Sequence, residues 1–226
     1  MPRIIFKIDL EKDARNYYGC ANSKPHFGHD FTKSMRQETL IKLKGKKWSE
    51  IETDIRELLK RGYSKINIEL KLKKIENEWR KIEKIYFRKL KRLTKKKIYR
   101  DEFYCYATTI GRCPYNKKEH WFMINIFNDI DFVMQIIAHE LMHLQLHYYF
   151  ERNIKKKRKL SEKKFQDLKE ALTVLLNLEF KNIIKKEDKG YPSHKKLRTF
   201  IVKEWKKEPD FEVLLNKCIK YLKKKK

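Results

Sequence analysis

Residues 138–143 read Ala138-His139-Glu140-Leu141-Met142-His143, an HExxH motif around which the rest of the chain can be organised. On a helix, residues four apart share a face. His139 and His143 can therefore offer two imidazole nitrogens to one metal ion. Glu140, about 100° round the helix, can reach water at that ion without being a ligand. Zn2+ lowers the pKa of such a water toward ~7, and the carboxylate accepts its proton. The motif needs a helix, and its flanks supply one. No Gly or Pro lies between Asp131 and Arg152, and Asn128 or Asp129 is placed to cap the start. Random draws from this composition produce about 0.02 such motifs, so the pattern is treated as signal.

A catalytic zinc site needs a third protein ligand and an open position. His147 continues the row as i+8, but it lies ~12 Å along the axis from His139, so a packing or supporting role is expected. Glu170 is better placed. It opens the run Glu170–Leu178, which is apolar nearly all round and is expected to be a buried helix. Its polar exceptions Glu170, Thr173 and Asn177 share one face. A buried carboxylate needs a metal or a partner such as a neighbouring lysine. Thr173 and Asn177 are expected to make interhelix hydrogen bonds. His194 follows the break Gly190-Tyr191-Pro192. It is a ligand, a surface residue, or a catalytic donor to the oxyanion of a tetrahedral intermediate. Tyr191 has the same candidate role on weaker grounds.

The elements on either side follow from periodicity. Phe103–Ile110 and Trp121–Phe127 are strand-like around turn residues and predict a β-hairpin. Upstream, Ser49 and Glu52 form a capping-box pattern for a helix to about Lys60, ended by Gly62. Leu72, Ile75, Trp79, Ile82, Tyr86, Leu90 and Leu93 mark a long amphipathic helix over about 67–96. Together the two predict an antiparallel helical hairpin. Downstream, helices are expected over Ser161 to about Lys185, Ser193–Lys206 and Asp210–Leu222, with 153–160 as a loop and a frayed 223–226 tail. Ile4–Ile8 reads as a short strand. Asn16–Asp30 reads as loop, and its His26 and His29 face solvent. The fold class is α+β and mostly helical. Residues 1–100 are expected to form an N-terminal segment with the helical hairpin, and 101–226 a catalytic region.

Composition bounds the alternatives. The chain has 226 residues, 57 Lys+Arg against 30 Asp+Glu, and a net charge of +27. Hydrophobic residues make up 41% and aromatics 13%, enough for a real core. Only 6 Gly leave little room for glycine-rich phosphate loops. A mean hydropathy of −0.80 speaks against a multi-span membrane protein. Cys20, Cys105, Cys113 and Cys218 contain no CxxC, which argues against a disulfide framework or an all-cysteine zinc site. No signal-peptide pattern opens the chain, so a cytoplasmic location is expected. The charge concentrates in 60–100 and in Lys155–Lys159, and is absent as Lys or Arg from Asp131–Phe150. It is either a footprint for nucleic acid or another anionic surface, or compositional drift.

The motif set resembles the zincin metallopeptidases of the gluzincin type, with HExxH on one helix and a glutamate ligand on the next. The resemblance covers about residues 100–185. It implies a zincin-like fold, Zn2+ held by His139, His143 and Glu170, Glu140 as general base, and a protein or peptide substrate laid along a sheet edge in the Phe103–Phe127 region. The expected function is zinc-dependent peptide hydrolysis. The basic segments also resemble the SprT-like proteases that act on DNA-bound protein, which differ in using a third histidine. A non-catalytic interaction protein with a metal site is the remaining alternative.

Overall fold

The computed structural model describes residues 1–224. The fold is α+β, 64% helical, with one small mixed sheet of four strands. The chain divides into two compact units that interleave along the sequence. One comprises Ile4–Trp79 and Glu102–Val133; the other comprises Met1–Arg3, Arg80–Asp101 and Met134–Lys226. Each unit draws on residues from both sides of position 100.

The sheet belongs to the first unit. Its strands are β1 (Arg3–Lys7), β2 (Glu102–Thr108), β3 (Tyr115–Asn116) and β4 (Trp121–Asn125), in the order β1-β2-β4-β3. The expected hairpin between the two long strands is not formed. β2 and β4 run parallel, with Tyr104 opposite Trp121, and β3 pairs antiparallel with β4. Parallel strands need a crossover, and the segment between β2 and β4 supplies it with β3 inside. β3, at the edge beside β4, is only two residues long.

Helix α1 (Leu10–Ala21) occupies part of a stretch that reads as loop. Asp9 caps it by accepting from the Lys12 N–H at 3.0 Å. Its apolar side, Ala14 and Ala21 with Tyr17 and Tyr18, packs against Ile51, Ile55 and Leu59 of α3 (Trp48–Lys65). The short α2 (Gln37–Leu43) adds Leu43 to this core. The apolar face of α3 is spent on α1, so the expected pairing with α4 (Ile68–Thr94) does not define the unit. α3 also starts two residues earlier than its Ser49 pattern suggests, with Glu50 accepting from the Lys47 N–H at 2.7 Å, and it runs past Gly62. Asp13 is fully buried in α1 and accepts from the hydroxyls of Thr108 (2.5 Å), Thr109 (2.8 Å) and Tyr63 (2.8 Å). His26 and His29 are exposed, as expected, and their backbones bond each other.

In the second unit, α5 (Ile130–Leu146, from Met134) carries the HExxH motif. Asp129, of the first unit, caps the Phe132 N–H at 2.9 Å. The backbone widens to π-helical turns over His147–Glu151 and Asn153–Lys157, where a plain helix and then a loop were expected. The Tyr86 hydroxyl, wholly buried on α4, donates to the Ala138 carbonyl at 2.6 Å and so grips α5 just before the motif.

The next helix is interrupted. α6 (Glu162–Leu172) starts at Ser161, whose hydroxyl accepts from the Lys164 N–H. It gives way at Thr173 to α7 (Val174–Glu179). The Thr173 hydroxyl donates back to the Glu170 carbonyl at 2.7 Å, a bond that competes with the helical ladder. α7 ends at Glu179, and residues 180–191 form a connection. α8 (Lys195–Lys207) packs against α6 and α7, and α9 (Phe211–Lys224) closes the unit against α8. Lys223 and Lys224 lie in α9; residues 225–226 of the expected frayed tail lie outside the described residues. Among the described residues, no helix is long and apolar enough to cross a membrane.

Candidate metal centre

The centre lies within the second unit. α5 presents His139 and His143 one turn apart, with ring centroids 4.2 Å from each other. α6 brings Glu170 against them. His139 Nε2 lies 3.4 Å from Glu170 Oε2, and His143 Nε2 lies 3.2 Å from Glu170 Oε1. All three ligand atoms fall within 4.8 Å of one another. Ligands at ~2.0–2.2 Å from a tetrahedral zinc sit about 3.3–3.5 Å apart. A direct charge-assisted hydrogen bond is shorter, about 2.7–2.9 Å. The observed separations match the metal spacing, and two imidazoles with one carboxylate are a donor set suited to zinc. The residues present fit the ion.

Supporting groups surround the three. Asp188 Oδ2 accepts from His139 Nδ1 at 2.7 Å and from the Gln135 amide at 3.0 Å. A carboxylate at Nδ1 holds the proton there and turns Nε2 toward a metal. Arg198 lies 3.0 Å from Asp188 Oδ1 and also donates to the Asp188 carbonyl. Its second anchor is the Thr173 hydroxyl, at 3.0 Å. Asn177 clamps the Asp188 backbone, accepting from its N–H and donating to its carbonyl, both at 2.8 Å. The polar row on α6 and α7 is therefore used as the sequence suggests: Glu170 faces the histidines, Thr173 bonds across to α8, and Asn177 secures the Asp188 loop. The expected lysine partner of Glu170 also exists. Lys169 Nζ is 2.9 Å from Glu170 Oε1, and both side chains are buried.

Electrostatics separate the roles of these groups. Burial opposes a charge on His139, but Asp188 and Glu170 outweigh it and hold its pKa well above the ordinary range. A metal at Nε2 must displace that proton. Burial and the Lys169 ammonium push His143 well below its usual value, so it is neutral. Burial works to raise the Glu170 and Asp188 carboxyls. The histidines and Lys169 overcome it at Glu170, which is held well below the carboxylate range; His139 and Arg198 overcome it at Asp188, which is lowered to about 2. Glu140 goes the other way. Burial, opposed by His139 but reinforced by Glu170, raises it to about 7. Its Oε2 is buried without a hydrogen-bond partner among the described residues. His139 keeps 18% of its side chain exposed, which leaves this end of the group open to solvent.

The other sequence candidates fall outside the cluster. His147 bonds Glu151 at 2.8 Å and packs on Phe165, the supporting role expected of it. His194 is not a surface residue. It is buried with Nε2 3.0 Å from Asp167 Oδ1, and its ring meets Tyr191 edge-on. Asp167 engages that nitrogen, and His194 and Tyr191 are not among the three clustered residues. Asp188 and Arg198 are the residues that sequence reasoning missed. Their only signal is an acidic residue in a polar connection and one more cation on a basic helix.

The chain matches no family model, no curated protein and no solved structure. Fold and site together define an α+β protein with a candidate metal centre of two histidines and one glutamate.

Proposed function

We infer that this chain is a zinc-dependent peptidase, with the ion held by His139, His143 and Glu170. One observation carries the reading: three buried or half-buried donor atoms converge at metal spacing beside a buried carboxylate, Glu140, whose Oε2 has no hydrogen-bond partner. When bound, zinc supplies a Lewis acid that polarises a scissile carbonyl and acidifies water. Glu140 takes the proton of the attacking water at Oε2 and returns it to the leaving amine. Its pKa near 7 suits both directions of transfer. His143 stays neutral and rigid, while His139 is oriented by Asp188. The metal reading rests on geometry. Peptide as the substrate class rests on the gluzincin resemblance of the motif set.

Metal analysis of the purified chain, paired with Glu140→Gln, tests the proposal. One equivalent of zinc is expected in both proteins. Hydrolysis of an unfolded protein substrate is expected to fall about 10²- to 10⁴-fold in the variant. Undiminished hydrolysis would sink the mechanism, and absence of zinc from both proteins would sink the site.

A further inference from the structure

A lysine ammonium inside a metal site is an unexpected expense. Burying it carries a desolvation penalty, and the neighbouring cation weakens the hold on any divalent ion. Lys169 is nonetheless only 3% exposed, and its Nζ lies 2.9 Å from Glu170 Oε1. The two oxygens of Glu170 are thereby made unequal. Oε1 accepts from the ammonium while facing His143 Nε2 at 3.2 Å; Oε2 faces His139 Nε2 at 3.4 Å. An oxygen bonded to an ammonium has lone-pair density drawn away and is the poorer metal donor. Its sister oxygen keeps full donor strength.

We propose that Lys169 is a positioning residue that restricts Glu170 to a single-oxygen ligand through Oε2. This rests on the metal-site reading above. Without the ammonium, both oxygens are free to chelate, and the site gains a ligand. Lys169 thus trades metal affinity for a coordination position left open to substrate, since a four-ligand zinc with one exchangeable place is the catalytic arrangement. The positive charge also adds to the Lewis acidity of whatever ion is held.

The test uses the full chain loaded with Co2+, whose visible absorption weakens several-fold on going from four ligands to five. Wild type is expected to show the intense four-ligand spectrum and Lys169→Met the weak five-ligand one. Lys169→Met should also bind the ion roughly tenfold more tightly, since one buried unit charge is removed beside it. Lys169→Arg keeps a cation on Oε1 and should retain the intense spectrum. It also serves if the methionine variant does not fold. Equal intensities in wild type and Lys169→Met, or a weak spectrum in Lys169→Arg, would overturn this role while leaving the metal site standing. A wild-type chain that takes up no cobalt would overturn both.

Discussion

Asp188 Oδ2 accepts a hydrogen bond from His139 Nδ1 at 2.7 Å, joining residues 49 apart in sequence. The contact orients the imidazole of a candidate ligand carried on a helix. Asp188→Asn keeps the shape but removes the charge that fixes the proton on Nδ1. Metal affinity is expected to fall about 10- to 100-fold, as measured by chelator competition. Because His139 loses the carboxylate that raises its pKa, the pH at which metal binding sets in should also move down. Unchanged affinity and pH profile would remove Asp188 from the site.

Glu140 predicts a specific pH dependence of stability in the metal-free chain. Its folded pKa, about 7, lies above the unfolded value of 4.5. The folded state therefore holds the extra proton, and the associated stability is fully present below 4.5 and lost as pH rises through 7. Glu140→Gln has no such proton. Between pH 4.5 and 7.5, metal-free wild type should lose about 3 kcal/mol relative to the variant, read by urea unfolding with chelator present. Parallel pH profiles for the two proteins would contradict the buried, isolated state of this carboxylate.

Gly190 is constrained twice. Its φ is +62°, and a Cβ would approach the Arg198 guanidinium at 2.7 Å. Gly190→Ala should pay backbone strain of about 1 kcal/mol and push Arg198 off Asp188. The expected result is a lower melting temperature together with weaker metal binding. A loss of stability with intact affinity would show that Arg198 does not transmit to the site.

Tyr86 offers a contrast away from the ligands. Its hydroxyl donates to the Ala138 carbonyl at 2.6 Å, in a wholly buried position. Tyr86→Phe keeps the ring against Phe180 and deletes this bond. A cost of about 0.5–1.5 kcal/mol is expected, measurable by denaturant unfolding. Metal stoichiometry should remain unchanged.

Local patterns made part of this readable in advance. The 3.6-residue period located α4, the HExxH motif in a stretch without Gly or Pro located α5, and the capping residues Asp129 and Ser161 marked starts that the backbone uses. α1 escaped because its charged residues obscure a modest apolar face of alanines and tyrosines. The parallel pairing of β2 with β4 escaped because alternation along a strand is the same whichever way its neighbour runs. The break between α6 and α7 falls where the Thr173 hydroxyl bonds the Glu170 carbonyl, a competition that propensity alone does not decide.

Sequence by itself determined the HExxH face and singled out Glu170. Helical geometry places i and i+4 together, and an apolar run makes its one carboxylate conspicuous. Only the tertiary structure decided that Glu170 reaches both imidazoles, that Lys169 shares it, and that Asp188, Arg198 and Asn177 lock His139. The reason is physical. A helix face is set by bonds between near neighbours, whereas a loop carboxylate gains its role from where packing of α5, α6, α7 and α8 happens to hold it.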